Sequence, residues 1–174
     1  MAASGIVEAV HENLNTASYR YIAYTNLAVF GNKISDVVSR ASTTDTYKKT
    51  ITGVPVKNVE IIWIGANETE TNGTTNYNSL ASYLLTQSAK GWHFIVCTMT
   101  PKTTSVLPAW RDEYNNHLRA NTAGITNYHV VDTDLIPALC DPTDTTYFDG
   151  DKLHLNATGK VIAGNAIAEV LKTL

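Results

Sequence analysis

The chain has 174 residues, of which 44% are hydrophobic and 17% are charged, and its formal net charge at pH 7 is −3. A chain of this length is expected to fold as one domain, over residues 1–174, with a sizeable hydrophobic core. The weak negative charge gives no electrostatic reason to expect nucleic acid or an anionic membrane surface as a partner.

The spacing of apolar residues predicts helices and strands in alternation. In chain order it predicts a helix over 5–15, a strand over 19–30 that ends at Gly31, a short helix over 34–41, a strand over 59–65, a helix over 78–89, a strand over 93–99, a helix over 108–121, a strand over 128–132 and a final helix over 159–174. This alternation predicts an α/β fold, in which helices cover both faces of a mostly parallel sheet as a three-layer α/β/α sandwich. In such a sheet, reactive groups gather outside the carboxyl ends of the strands.

Cysteine usage and the lack of long apolar runs narrow the class of protein further. Two cysteines, Cys97 and Cys140, are too few for a disulfide framework. No Cys, His and acidic residues share the spacing of metal ligands, so we expect neither a metal nor another cofactor. No segment is long and apolar enough to span a membrane, and the first residues do not form a signal peptide. We therefore expect a soluble protein, cytoplasmic or secreted from a longer precursor; its oligomeric state has no sequence signal.

Asp151 and His154 stand three residues apart in a polar loop before the last predicted helix. A carboxylate and an imidazole at this spacing meet when the loop between them curls through one turn. Asp151 can then accept the proton of one ring nitrogen and leave the other nitrogen available as a general base. Such a pair forms two thirds of a Ser-His-Asp triad. In the alternative interpretation, this is an ordinary surface loop and Asp151 caps the following helix.

Three separated segments resemble conserved blocks of the SGNH hydrolases, also called the GDSL esterase/lipase family. NLAVFGNKISDV (26–37) resembles the second block, IIWIGANE (61–68) resembles the third, in which a strand ends in Gly-x-Asn, and FDGDKLHLNATG (148–159) resembles the fifth, with its Asp-x-x-His. The order and approximate spacing agree, and the blocks span nearly the whole chain. The resemblance implies the flavodoxin-like α/β/α fold of that family.

The resemblance also implies roles for individual residues. His154 would be the general base and Asp151 its orienting acid, while the Gly31 backbone N–H and the Asn67 side-chain amide would donate to the oxyanion of a tetrahedral intermediate. Taken alone, Gly31 is equally explained as a turn glycine, and Asn67 as an amide that caps a loop. The family usually has Asp where this chain has Glu68, and we expect only a local effect of the longer side chain.

The first block of the family, a strand that runs into Gly-Asp-Ser-Leu with the nucleophilic serine, is absent or degenerate in this chain. Ser4, in the fragment ASGIVEA, stands at about the right place in the order and is the candidate nucleophile. Alternatively, Ser4 is the N-cap of a helix that starts at Gly5, or part of a start-site remnant. If the block is absent, the sheet also lacks its first strand, which the family places near the middle.

The function implied is that of a serine esterase that hydrolyses a small acyl ester through an acyl-enzyme. An acetylated carbohydrate and a short-chain ester are both open as substrates, and the expected partner is thus a small-molecule ester. The alternative is a catalytically inactive or truncated SGNH-like module with a carbohydrate-binding or structural role. The degenerate first block favours the module, whereas the Asp151–His154 pair favours the enzyme.

Overall fold

The structure of the chain is a computed structural model that describes residues 4–16, 24–104 and 106–174. The helices in these residues are α1 (Ser4–Thr16), α2 (Ile34–Ser39), α3 (Ala41–Thr46), α4 (Gly73–Ser88), α5 (Ala109–Ala120) and α6 (Ala157–Leu171). The strands are β1 (Asn58–Ile62), β2 (Trp92–Cys97) and β3 (Tyr128–Val131), and two short 3-10 turns, Thr133–Leu135 and Pro137–Leu139, follow β3. None of these helices is long and apolar enough to cross a bilayer.

The three strands form one sheet in the order β1-β2-β3. β1 and β2 pair in parallel. Backbone hydrogen bonds join β2 to β3, from Phe94 N–H to the Asn127 carbonyl at 2.8 Å and from Thr98 N–H to the Val131 carbonyl at 3.0 Å. Because both partners advance along the chain in the same direction, this second pair is parallel as well. The predicted strands over 59–65, 93–99 and 128–132 and the parallel sheet are therefore confirmed.

The predicted strand over residues 19–30 is wrong in the part that the structure describes. Residues 24–29 have no regular secondary structure and residues 30–31 form a turn, while residues 17–23 lie outside the described residues. The side chains of Tyr24, Val29 and Phe30 are 59%, 60% and 80% exposed. An apolar run predicts a strand because such side chains are usually buried in a sheet, and these three face solvent instead.

The chain divides into two compact units, each of which has its own packing. The first unit comprises Met1–Phe30, Thr98–Pro108 and Val131–Leu174, and the second comprises Gly31–Cys97 and Ala109–Val130. The sheet and helices α2 to α5 lie in the second unit, apart from the last residue of β3. The single domain over residues 1–174 stays a prediction.

In the first unit, α1 and α6 pack at close range. A Cβ atom added to Gly164 of α6 would lie 2.6 Å from the Ala9 Cβ and 3.0 Å from the Ile6 carbonyl oxygen of α1. Beside this contact, the Asn13 side chain donates a hydrogen bond to the Asn165 side chain at 2.9 Å. The glycine therefore allows the two helix backbones to approach more closely than any larger residue would.

In the second unit, β2 runs through a continuous apolar core. Phe94 and Ile95 are fully buried. Apolar side chains of α4 and α5 that are also fully buried include Leu80, Leu84, Tyr114 and Leu118. Burial of both faces of a parallel strand explains why β2 reads in the sequence as a nearly continuous apolar run.

Replacing Gly164 with valine should destabilise the fold by about 1–3 kcal/mol, because the new side chain overpacks the α1–α6 contact. Helix propensity alone predicts the opposite sign, since glycine is the poorer helix former. The free energy of unfolding, from urea denaturation followed by circular dichroism, measures the change. The control is Val161→Ala at a position of α6 that is 48% exposed, which should change stability by less than about 0.5 kcal/mol. A stabilised Gly164→Val protein would contradict the close contact.

Candidate active site

Asp151 and His154 lie in a tight loop that leads into α6. The two ends of the loop are joined by an antiparallel bridge between Phe148 and Leu155. Both of these side chains are buried, with 1% and 7% of their surface exposed. Inside the bridge, Asp149 N–H donates a hydrogen bond to the His154 carbonyl at 2.8 Å. The apolar anchors thus hold the base of the loop, and its polar tip faces solvent.

The tip of the loop is held in an uncommon backbone conformation. Lys152 has a φ of +56°, in the left-handed region that residues with a Cβ rarely adopt. Its N–H donates to the Asp149 carbonyl at 3.0 Å, and its carbonyl accepts from Thr103 N–H at 2.7 Å. Thr103 itself has a φ of +65°. Hydrogen bonds on both sides of Lys152 therefore offset the cost of this turn, which brings residues 151 and 154 onto the same side of the loop.

The hydrogen bond that the three-residue spacing predicts between Asp151 and His154 is present. His154 Nδ1 lies 2.6 Å from Asp151 Oδ2. An ionised carboxylate only accepts hydrogen bonds, so Nδ1 carries the proton and Nε2 of the neutral ring is left as the acceptor. The side chains of Asp151 and His154 are 49% and 32% exposed, which leaves them accessible to a small molecule.

The interpretation of Asp151 as a helix cap is wrong. Asn156 caps α6, because its side-chain oxygen accepts a hydrogen bond from Gly159 N–H at 3.1 Å. The second oxygen of Asp151, Oδ1, accepts instead from the backbone N–H groups of Leu153 at 2.9 Å and His154 at 3.0 Å. All three hydrogen bonds of the carboxylate thus stay within its own loop and orient it towards the imidazole.

These donors lower the pKa of the Asp151 carboxyl from its ordinary 3.8 to about 2. The backbone N–H of His154 is the largest cause, followed by the His154 ring and the backbone N–H of Leu153. Each donor favours the charged form of the carboxyl. Asp151 is therefore an anion at every pH at which a histidine ring is neutral, as the orienting member of an acid-base pair must be.

Gly31 and Asn67 lie near each other in the second unit. Gly31 has a φ of +78°, which favours glycine, and a Cβ atom added there would meet no atom within 4 Å. The Asn67 amide donates one hydrogen bond to the carbonyl of Asn32, the residue after Gly31, at 3.2 Å. These contacts fit a turn glycine and a loop-bracing amide as well as they fit an oxyanion site. Convergence of Gly31 and Asn67 on one point with His154 stays a prediction.

Glu68 connects the loop after β1 to the start of α2. Its Oε1 accepts a hydrogen bond from Ile34 N–H at 2.6 Å, and its own N–H donates to the Gly65 carbonyl at 3.1 Å. Ile34 is only 2% exposed, so its N–H has a protein acceptor in place of water. The longer side chain at this position supports the Asn67 loop by hydrogen bonding.

Arg111 also braces this loop, and the motif analysis did not find it. Its guanidinium donates to the carbonyl of Ala66, the residue before Asn67, at 3.1 Å. The side chain is only 3% exposed, and burial lowers the pKa of its guanidinium. The signal in the sequence is helical spacing, because Arg111 falls on the same buried stripe of α5 as Tyr114 and Leu118.

Phe30 is a second residue that the motif analysis did not place at a site. Its ring centroid lies 6.1 Å from that of His154, with the two ring planes at 31°. The prediction of a strand over 19–30 obscured this contact, since it assigned Phe30 to the sheet and not to a turn.

The candidate nucleophile stays untested. Ser4 begins α1, one residue before the predicted start of that helix, and its side chain lies outside the described residues. Within the part of the chain that the structure describes, no group of three or more His, Cys, Asp or Glu side chains is arranged to hold a metal ion.

The contacts of Asp151 predict its titration. Because its folded pKa of about 2 lies below the ordinary 3.8, the loop gains stability from the carboxylate above pH 3.8 and loses it as the pH falls towards 2. NMR titration of the side-chain carboxyl should give a midpoint near pH 2. In His154→Ala the midpoint should rise and yet stay below 3.8, since the backbone donors remain. A midpoint at the ordinary value in the unmodified protein would rule out the three-donor arrangement.

Removal of the Glu68 carboxylate should leave the buried Ile34 N–H without an acceptor. We expect Glu68→Ala to cost about 1–3 kcal/mol of stability and Glu68→Gln less, because the amide oxygen can still accept. Glu68→Asp should resemble the alanine variant, since its shorter side chain does not reach. Thermal unfolding and hydrogen exchange of the Ile34 amide provide the measurements. The matched control is Glu8→Ala on the exposed face of α1; equal effects at both positions would refute the bracing role.

Comparison with known proteins agrees with this architecture. The sequence matches no protein-family model and no curated protein sequence. Among solved structures, the chain is similar to a member of the lipolytic protein G-D-S-L family from Veillonella parvula DSM 2008, with a TM-score of 0.72. The two share 19% sequence identity over 100% of this chain and 91% of that chain, so the similarity is one of fold. The chain has the α/β/α fold of the SGNH hydrolases.

Proposed function

We propose that the protein is a serine esterase of the SGNH type, which hydrolyses a small acyl ester through an acyl-enzyme. The single observation that carries the proposal is the 2.6 Å hydrogen bond between Asp151 and His154 in an accessible loop. An imidazole fixed by a carboxylate in one tautomer is the general base that ester hydrolysis by a hydroxyl nucleophile requires. The similarity in fold to a lipolytic protein supports a hydrolase of this type.

In the proposed reaction, His154 removes the proton of the nucleophilic hydroxyl as that oxygen attacks the ester carbonyl. Asp151 stays ionised and stabilises the imidazolium that forms. The imidazolium then returns the proton to the departing alcohol, and the acyl group remains on the enzyme. A water molecule, deprotonated by His154 in turn, attacks the acyl-enzyme. The imidazolium then returns this proton to the oxygen of the nucleophile, which restores its hydroxyl and releases the acid.

Gly31 and Asn67 are the proposed donors to the oxyanion. A backbone N–H and a side-chain amide that are held in place before reaction need no reorganisation when negative charge develops on the carbonyl oxygen. The hydrogen bond from Asn67 to Asn32 and the support from Glu68 and Arg111 favour such a preorganised loop. The Asn67 amide has a second N–H for the substrate.

Ser4 is the proposed nucleophile, by its position in the order of the family's blocks. The degenerate sequence around it favours a second candidate function, an inactive SGNH-like module with a carbohydrate-binding or structural role. The two functions differ in one observable property, which is covalent reaction of a serine with an acyl-enzyme analogue.

A fluorophosphonate probe and an aryl acetate together test the proposal. The protein should react with the probe and hydrolyse the ester, and Ser4→Ala should abolish both activities. His154→Ala should lower turnover by at least about 10³-fold, and Asn67→Ala by about 10²–10³-fold, with the fold intact. Asn78→Ala, at an exposed position of α4, is the matched control and should leave turnover unchanged.

Three outcomes would contradict parts of the proposal. A protein that neither reacts nor hydrolyses esters is the inactive module. Reaction at another serine would remove Ser4 from the mechanism. Full turnover by Asn67→Ala would remove the amide from the oxyanion site.

A further inference from the structure

An exposed aromatic side chain stands beside the proposed general base. The Phe30 ring is 80% exposed, and its centroid is 6.1 Å from that of His154. At this distance, and with an angle of 31° between their planes, the two rings are neighbours, and most of the Phe30 ring stays open to solvent. A small molecule that reaches the His154 ring therefore meets the Phe30 ring as well.

The residues that directly precede Phe30 and His154 in the chain are also exposed and apolar. Val29 is 60% exposed, and Leu153, which directly precedes His154, is 37% exposed. Both lie in the same compact unit as His154. Folding leaves this apolar surface in water, so a ligand that covers it gains the free energy of its burial.

Two acceptor groups of the loop are already engaged within the protein. The Asp151 carboxylate accepts three N–H groups, and the Lys152 carbonyl accepts that of Thr103. A sugar needs polar atoms around an aromatic ring to bind its hydroxyl groups, whereas a hydrocarbon chain needs only the ring and its apolar neighbours. The exposed apolar side chains of Phe30, Val29 and Leu153 favour the hydrocarbon.

From these observations we infer that Phe30 determines substrate specificity by binding an apolar chain next to the scissile ester bond. The inference rests on the proposed function and narrows it, since it favours alkyl or aliphatic acyl esters over acetylated sugars. The chain belongs either to the acyl group or to the alcohol, and separate substrate series distinguish the two.

The kinetic test compares p-nitrophenyl acetate, butyrate and hexanoate, and in parallel the acetates of ethanol and hexanol. A chain that lies against one apolar wall gains roughly twofold in kcat/KM per methylene, about half the effect of full burial. In one series, the ratio of kcat/KM between six-carbon and two-carbon chains should therefore be roughly 16-fold. Phe30→Ala should reduce this ratio to about threefold or less, and Phe30→Leu should retain most of it. Val106→Ala, 72% exposed in the same unit, should leave the ratio unchanged.

A binding measurement separates failure of this inference from failure of the proposed function. Hexanoate and acetate, the product acids, are titrated against the protein while NMR follows the ring protons of His154. Hexanoate should bind roughly 16-fold more tightly than acetate, and Phe30→Ala should remove most of the difference. If no ester is hydrolysed and this difference persists, the proposed function fails and the apolar site stands.

Two results would overturn the inference. One is that hydrolysis or binding depends on chain length to the same extent in Phe30→Ala as in the unmodified protein, which includes the case of no dependence in either. The other is faster hydrolysis of an acetylated monosaccharide than of every alkyl ester, because Phe30 would then be a sugar-stacking residue.

Discussion

The candidate site depends on one carboxylate that is satisfied entirely by its own loop. Asp151 accepts hydrogen bonds from two backbone N–H groups and from the His154 ring, and the backbone donors fix the carboxylate whether or not the ring is present. The imidazole is then oriented by a group that cannot rotate away. This arrangement requires the left-handed turn at Lys152, which is retained because both of its peptide groups are hydrogen-bonded.

The loop is positioned in turn by the packing of the helix that follows it. Phe148 and Leu155 bury the base of the loop, and Asn156 ends it by capping α6. At the first turn of this helix, a Cβ atom on Gly159 would collide with the Tyr147 carbonyl, so only glycine permits the approach of the chain before the loop to α6. Leu155, Asn156 and Gly159, which follow Asp-x-x-His, thus have structural roles. The whole segment packs as one unit, with Asp151 and His154 at its tip.

A second set of contacts braces the loop that carries Asn67. Glu68 ties it to α2 by accepting a hydrogen bond from Ile34 N–H, and Arg111 ties it to α5 by donating one to the Ala66 carbonyl. Glu68 stands where the SGNH hydrolases usually have aspartate, and its Oε1 accepts a hydrogen bond from Ile34 N–H at 2.6 Å. A buried guanidinium is costly to desolvate, and its hydrogen bond to the Ala66 carbonyl offsets part of that cost.

The sequence by itself determined the alternation of helices and parallel strands and the Asp151–His154 hydrogen bond. The periodicity of apolar residues and a three-residue spacing are local properties of the sequence. β2 and the loop before α6 adopt the structures that these local patterns predict. It failed at residues 24–30, where an apolar run predicts a strand although Phe30 is exposed, because composition does not reveal what a segment packs against. Only the tertiary structure showed that Phe30 lies beside His154 and that Arg111 supports the Asn67 loop, since both contacts join residues that are distant in the chain.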